Sequence, residues 1–138
     1  MNQVITPDIW GPHGWKFLHY ISFGYPENPT INIKNQYKNF FLSLEHVLPC
    51  VRCSNHYREN LSKYSLDEAL TNRDSLIRWV IDIHNDVNRD NNKKVYDYDE
   101  AIQLYTQTQT PEYLDYCFRI LVLFVVIYFA YKLLKNKI

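Results

Sequence analysis

Apolar residues recur every three to four positions through most of the chain before residue 106, which is the spacing of amphipathic helices. No segment shows the convincing alternation of apolar and polar residues that marks a half-buried strand, and there are no internal repeats. The clearest helical stripe lies before Pro49 and consists of Ile33, Tyr37, Phe40, Phe41, Leu44 and Val47. The pattern therefore predicts an all-α fold.

Prolines, glycines and asparagine runs divide this pattern into separate elements. The economical architecture for them is a four-helix bundle with an additional short helix. The predicted elements are a helix with Pro12 in its first turn that ends at Gly24, a helix capped by Thr30 or Asn32 that ends at Pro49, a helix from Cys50 to about Tyr64, a short turn capped by Ser65, a helix from about Asp74 to Asp90, and a short helix from Asp99 to Tyr105.

The pattern changes towards the C-terminus, where Ile120 to Tyr131 is uninterrupted apolar sequence followed by lysines. If Arg119 and Lys132 extend to the interface, this segment approaches the length of a short membrane span. A buried or interfacial helix is the alternative for an apolar run of this length. We expect a domain over residues 1–105, a polar linker over 106–114, and a C-terminal hydrophobic, transmembrane helix with a short basic tail over 115–138.

The two ends of the chain bear on its location. Residues 1–6 lack the charged start and apolar run of a signal peptide, so a late-inserting tail would leave the folded domain in the cytosol. The trailing lysines favour a cytosolic C-terminus instead. We prefer the first argument, because so short a tail crosses a membrane readily. We therefore expect the chain to lie in a membrane, crossing it once with its C-terminal segment, and its folded domain to lie in the cytosol.

Composition excludes several classes of function. The chain has 15 basic and 15 acidic residues and no concentrated basic segment, which argues against a nucleic-acid partner. It has 3 glycines and neither of the glycine-rich phosphate loops of nucleotide-binding folds. Any nucleotide cofactor must therefore be held in another way.

The chemistry is concentrated first at Cys50 and Cys53, which lie one helical turn apart directly after Pro49. At a helix start, unpaired backbone N–H groups and the helix dipole favour a thiolate, and Arg52 adds positive charge. The chain has 3 cysteines, and Cys117 lies far away, so no second pair can form a structural bridge. The pair is therefore predicted to serve chemistry, as a redox disulfide or as half of a metal site, and not to form a structural bridge.

Two further groups carry aromatic rings, imidazoles and carboxamides. The first is Trp10 to Trp15 with His19, and the second is Trp79 with His84 to Asn88. His84 and Asn88 are four residues apart and share a helix face, with Asn85 beside them. In a bundle, all three groups can converge on one cavity, and their mixture of side chains suits a planar aromatic cofactor.

The spacing of these motifs resembles the Erv/ALR family of FAD-linked sulfhydryl oxidases over residues 10–105. Each motif is weak alone, but their order and spacing together are specific. The matching residues are Trp10-Gly11-Pro12-x-x-Trp15-x-x-Leu18-His19 with Tyr25-Pro26, then Pro49-Cys50-x-x-Cys53-x-x-His56-Tyr57, then Trp79-x4-His84-Asn85-x-Val87-Asn88 with Lys93 and Tyr96.

The resemblance implies an FAD-dependent thiol oxidase that forms disulfides in protein substrates and passes electrons through FAD to dioxygen, giving hydrogen peroxide. Cys50 would exchange with the substrate, and Cys53 would face the flavin. Relatives of this kind form homodimers, for which Phe40 and Phe41 are candidate contacts. The implied FAD-binding residues are Gly11, Trp15, His19, His84, Asn85, Val87, Asn88, Lys93, Tyr96 and Tyr105.

The chain departs from the family pattern in two places. Ile81 and Tyr98 stand where many members have a structural disulfide, and we expect an apolar contact to replace it. A second, relaying cysteine pair is missing, which resembles minimal viral members acting in a host cell or virion. Such a member needs a dithiol protein substrate or a small thiol relay protein. Three states remain open for Cys117, which are a free thiol, an acylated thiol and a disulfide between two subunits.

Other interpretations remain beside the redox one. His46, Cys50, Cys53 and His56 have spacings that zinc accepts, which would make the chain a zinc-stabilised helical adaptor. Pro49 argues against this, because it breaks the helix that carries His46. A thioredoxin-like dithiol would need a βαβ context, which is missing. The remaining alternative is a tail-anchored interaction module whose flavin site has decayed.

Overall fold

The computed structural model describes residues 6–106 and 112–135, and in these ranges the chain forms seven helices and no strand. The predicted all-α fold is confirmed. The chain divides into two compact units, Met1–Tyr105 and Thr106–Ile138. The helices are α1 (Pro7–Phe23), α2 (Ile31–Val47), α3 (Val51–Lys63), α4 (Leu66–Ala69), α5 (Arg73–Asp90), α6 (Tyr98–Thr106) and α7 (Glu112–Lys135).

Side chains just before the helices accept hydrogen bonds from the otherwise unpaired N–H groups of the first turn. Thr30 Oγ1 accepts from Ile33 N at 3.4 Å, which selects Thr30 over Asn32 as the cap of α2. Ser65 accepts from Glu68 N at 3.3 Å at the predicted start of α4. These boundaries follow from local sequence, and the structure agrees with them.

The start of α1 differs from the prediction. The helix begins at Pro7, so Pro12 lies inside it rather than in its first turn. Pro7 occupies the opening position, where a missing N–H costs nothing because that group has no partner within the helix. Pro12 leaves the carbonyl of Asp8 without its usual partner four residues later.

Helix α5 forms the centre of the first unit. It packs against α1, α3 and α4, and α2 packs against α3. Leu76, Val80 and Ile83 of α5 are buried together with Phe41 of α2. The polar atoms of the core aromatics are paired, since Trp79 Nε1 donates to the carbonyl of Tyr64 at 3.1 Å. This packing brings the second half of α5 against α1.

A second apolar cluster attaches α6 to α5. Ile81 lies in it with Ile77 and Ala101, and the ring of Tyr98 packs against it. The Tyr98 hydroxyl also donates to Asp82 Oδ1 at 2.9 Å. Ile81 and Tyr98 are thus joined by packing.

We expect Ile81→Ala to lower the free energy of unfolding by about 2–5 kcal/mol, because the side chain is buried and its loss leaves a cavity. Ile81 is 1% exposed, whereas Ile9 is 65% exposed, so Ile9→Ala is the matched control and should change stability little. Urea unfolding followed by circular dichroism measures both. Equal effects of the two substitutions would contradict this account of the cluster.

No helix in the described ranges is long and apolar enough to cross a membrane. The predicted single-pass anchor is therefore wrong, and the topology argument built on it no longer applies. The uncharged stretch of α7 between Arg119 and Lys132 is shorter than the ~20 residues that a span needs. Residues 107–111 of the predicted linker lie outside the described part, and α7 begins at Glu112 rather than at residue 115.

Candidate active site

The cysteine pair lies at the start of α3 as a disulfide, with Cα atoms 5.1 Å apart. Cys50 is the N-cap residue, and its backbone is extended at φ −154°. Its Sγ accepts a hydrogen bond from Cys53 N at 3.2 Å. Both cysteines are half-buried. When the pair is reduced, this hydrogen bond and the helix dipole favour a thiolate at Cys50.

An apolar cleft too narrow to hold a water molecule begins one helical turn from Cys53. Tyr57 lies four residues after Cys53, so the two side chains share a face of α3. The Tyr57 hydroxyl donates to the carbonyl of Phe41 at 3.0 Å, which fixes the ring at the cleft. The cleft is lined by Trp15, Leu18, Phe41, Tyr57, Trp79, Val80 and Ile83. Of these, only Trp15 is among the predicted site residues, although the spacing from Cys53 to Tyr57 could have indicated Tyr57.

Four predicted site residues meet in one group, which we call the aromatic–imidazole group and which consists of Trp15, His19, His84 and Tyr105. The rings of Trp15 and His84 stack at 4.2 Å with an interplanar angle of 8°. The rings of His19 and Tyr105 stack at 3.9 Å and 16°. His19 Nε2 lies 3.0 Å from His84 Nδ1, so the two imidazoles share a hydrogen bond. Helices α1, α5 and α6 thus converge here, and Trp15 connects this group to the cleft.

Both imidazoles of this group are held neutral. Burial, and then the neighbouring His84, lower the pKa of His19 to about 3. Burial, and then the positive charge of Lys93, lower the pKa of His84 to about 4. His19 is 1% exposed, and its Nδ1 atom has no hydrogen-bond partner among the described residues. A buried ring nitrogen of this kind can serve a ligand, since buried polar groups are otherwise almost always paired.

The Asn85 carboxamide pairs with the backbone of Tyr96. Its Nδ2 donates to the carbonyl of Tyr96 at 2.8 Å, and its Oδ1 accepts from Tyr96 N at 3.0 Å. The carboxamide therefore holds the backbone of the segment after α5, which also contains Lys93. The Lys93 N–H donates to the carbonyl of Asn88 at 2.8 Å, and its ammonium lies 3.9 Å from Asp8. The two hydrogen bonds of the Asn85 carboxamide, which we call the backbone clamp, bring Asn85 and Tyr96 together.

We expect Asn85→Ala to lower the free energy of unfolding by about 1–3 kcal/mol, because it leaves two backbone groups of Tyr96 unpaired. Hydrogen exchange of the Tyr96 amide, measured by NMR, should accelerate with it. Asn55 is exposed on α3, so Asn55→Ala serves as the control. An unchanged exchange rate at Tyr96 in the Asn85 variant would show that the clamp is unimportant.

The remaining predicted cofactor residues stand apart from these contacts. Gly11 lies one turn before Trp15 on α1, and a Cβ atom there would meet nothing within 4 Å. Asn88 is buried on α5, and Val87 is half-buried beside it. Among the described residues, no hydrogen bond or ring contact joins Gly11, Val87 or Asn88 to the aromatic–imidazole group. Their roles therefore rest on the motif.

The zinc interpretation is not favoured. The two thiols are bonded to each other, His46 Nε2 lies 2.9 Å from Glu45 Oε1, and His56 Nδ1 lies 3.6 Å from Asp90 Oδ2. Within residues 6–106 and 112–135, no group of three or more His, Cys, Asp or Glu side chains is placed to hold a metal ion.

Comparison with known proteins agrees with this geometry. The model of the Erv1/Alr family matches residues 12–109. A protein of Acanthamoeba polyphaga mimivirus, described as a probable FAD-linked sulfhydryl oxidase, is 46% identical over 109 residues, which are 78% of this chain and 76% of that protein. The FAD-linked sulfhydryl oxidase of African swine fever virus is 32% identical over 106 residues, 75% of this chain and 87% of its own.

The fold is also similar to a solved structure. The crystal structure of the FAD binding domain of Erv1 from Saccharomyces cerevisiae superimposes with a TM-score of 0.68 and 25% identity, covering 73% of this chain and 94% of that domain. The family model spans most of the chain, and it includes the cysteine pair and the aromatic–imidazole group. This chain belongs to the Erv1/Alr family.

Proposed function

We propose that this chain is an FAD-dependent thiol oxidase that forms disulfides in dithiol substrates, with dioxygen as final acceptor and hydrogen peroxide as product. The observation that carries the proposal is the Cys50–Cys53 disulfide at the start of α3, one turn from an apolar cleft that shares Trp15 with the aromatic–imidazole group. The relatives' names, FAD-linked sulfhydryl oxidase, support the same activity.

The first step is thiol–disulfide exchange at Cys50. A substrate thiolate attacks Cys50 Sγ, the Cys50–Cys53 bond breaks, and Cys53 leaves as a thiolate. The second substrate thiolate then attacks the substrate sulfur of this mixed disulfide, and Cys50 leaves as a thiolate. The substrate is oxidised to a disulfide, the cysteine pair is reduced by two electrons, and the protons pass to water.

The geometry at the N-cap favours the second step. The Cys53 N–H that donates to Cys50 Sγ also stabilises the thiolate that leaves there. A leaving thiol with a lower pKa departs faster, so capping by sulfur assists product release. Cys53 lies inside α3, on the helix face that also carries Tyr57 of the cleft. In this proposal the electron pair leaves the cysteine pair from Cys53.

The residues of the site fit FAD. Neutral imidazoles and indole provide stacking surface, the unpaired His19 Nδ1 offers a polar contact, open space lies beside Gly11, and Lys93 provides charge for a diphosphate. Bound FAD supplies a two-electron acceptor for the dithiol that dioxygen can reoxidise. The proposed binding residues are Gly11, Trp15, His19, His84, Asn85, Val87, Asn88, Lys93, Tyr96 and Tyr105, with Asn85 acting through the backbone of Tyr96.

The chain's own residues prepare this site. Trp15, Trp79 and the aliphatic side chains of the cleft leave no room for water between them. Low pKa values keep His19 and His84 uncharged, so no cation repels or traps the ring system. Asn85 fixes the segment that carries Lys93.

We further propose the finer assembly. Helices α1, α2, α3 and α5 form the four-helix bundle, the oxidase domain covers residues 1–105, and the chain acts as a homodimer on a dithiol protein or a small thiol relay protein. Phe41 is 0% exposed, so it belongs to the core and not to a dimer contact. Phe40 packs edge-on against Phe17, which is 58% exposed, and these two replace the Phe40/Phe41 pair as candidates.

The purified chain tests the activity. We expect a visible flavin absorbance band, oxygen consumption on adding dithiothreitol, and hydrogen peroxide in a one-to-one ratio with the disulfide formed. Colourless protein, or flavin-containing protein that consumes no oxygen with the dithiol, would refute the proposal.

A further inference from the structure

We propose that the surface around Cys50 docks an extended cysteine-containing segment of a protein substrate that carries an apolar and an acidic side chain close to its cysteine. We call this surface the Cys50 rim and define it as Val47, Pro49, Val51 and Arg52. The inference rests on the proposed function, and it names the substrate class that the same site selects.

The rim is apolar where the fold does not require it. Val51 is 80% exposed and Val47 is 66% exposed, and in the chain they follow and precede Cys50. Pro49 is also exposed. Valine has only modest helix propensity, and an exposed valine in the first turn of α3 adds little to stability. Apolar side chains on both sides of a reactive sulfur are better explained by a partner that covers them.

The rim also has a positive charge without a partner. Arg52 is exposed, and no ion pair or hydrogen bond to it is found in the described part of the chain. The nearest acidic residue of α2, Glu45, is already paired with Arg58 and His46. A cation in the first turn of a helix is unfavourable to the helix dipole. Arg52 is therefore available to a carboxylate of the partner.

Thiol–disulfide exchange determines what covers this surface. A substrate sulfur has to reach Cys50 Sγ, and neighbouring residues of an extended chain are only ~3.5 Å apart. The residues next to the substrate cysteine must then lie against Val47 and Val51, with Arg52 within reach of an acidic side chain. A small dithiol exchanges at the same sulfur without touching the rim.

Three substrates and three variants test the proposal. The substrates are a peptide with two cysteines flanked by leucine and glutamate, the same peptide with serine at the flanking positions, and dithiothreitol. The variants are the double change Val47→Ser with Val51→Ser, the single change Arg52→Gln, and Ile31→Ser as control. Ile31 is 74% exposed at the opposite end of α2.

For the wild-type chain we expect kcat/KM to be about tenfold higher with the leucine–glutamate peptide than with the serine peptide, the size of discrimination that one small apolar contact provides. The double valine variant should lose most of this preference for the leucine–glutamate peptide. Arg52→Gln should lose the electrostatic part of the preference, which high salt should also remove in the wild-type chain. The rate with dithiothreitol should stay unchanged in the double valine variant, and Ile31→Ser should behave like wild type.

Several results would overturn the proposal. These are equal rates with the two peptides, a double variant that slows dithiothreitol as much as peptide, or a double variant whose mass in light scattering falls, which would make the rim a contact between copies. Exchange between each peptide and the Cys50–Cys53 disulfide, measured in a single turnover without dioxygen, reports on the rim alone. If the wild-type chain did not oxidise dithiothreitol but still preferred the leucine–glutamate peptide in the single-turnover exchange, the proposed oxidase would be refuted and the rim would not.

Discussion

Replacing Cys53 by serine is expected to reduce dithiol-dependent oxygen consumption at least about a thousandfold, because removing a group that reacts covalently abolishes the route it serves. Without the Cys50–Cys53 bond, the substrate thiol has no disulfide to attack. A mixed disulfide between the substrate and Cys50 therefore cannot form by exchange. An oxygen electrode with dithiothreitol as substrate measures the loss, and the flavin absorbance of the same sample reports whether the site is still assembled.

The variant should fold. Cys50 and Cys53 are three residues apart, so their bond closes a very short loop and restricts the unfolded chain less than a long-range bridge does. Cys117 provides the matched control, since it is an exposed free thiol, and Cys117→Ser should retain full activity. A Cys53→Ser enzyme that keeps more than a tenth of the wild-type rate would show that the pair is not the oxidant.

Acidification from pH 7 to pH 5 is expected to lower the free energy of unfolding by up to about 4 kcal/mol, because two buried histidines resist protonation in the folded state. The folded pKa values are about 3 for His19 and about 4 for His84, against an ordinary value of 6.5. The unfolded chain therefore binds more protons below pH 6.5. The stabilisation is complete above that pH and is lost progressively as the pH falls towards the folded values.

Urea unfolding at pH 7, 6 and 5 measures this dependence. His84→Gln removes one of the two titrating groups, so it should reduce the slope between pH 6 and pH 5 by about 1 kcal/mol per pH unit. His13 is exposed on the same helix as His19, and His13→Gln should leave the slope as it is. If the two variants had the same slope, the acid sensitivity would have to arise from groups other than His84.

Local chemistry made much of the helical succession predictable. A cap depends only on a side chain and the N–H three residues later, so Thr30 and Ser65 are recognisable without a structure. Pro12 was misassigned because proline tolerance has the same sequence signal at any opening turn, and Pro7 offered a second candidate. The prediction of a membrane anchor was wrong because it relied on apolar composition. A span also requires an uninterrupted apolar length of ~20 residues.

The sequence by itself determined the all-helical fold, the cysteine pair at a helix start and the residue types around it, since each depends on neighbours within about one helical turn. Only the tertiary structure decided which of these residues meet. His19 and His84 are 65 residues apart in the chain, and their contact exists because α1 packs on α5. Packing against Trp79 of α5 buries Phe41, whereas Phe40 lies nearer the surface. The fold of the segment after α5 turns the carboxamide of Asn85 towards the backbone of Tyr96. The direction of a side chain depends on its long-range neighbours, which the order of residues does not specify.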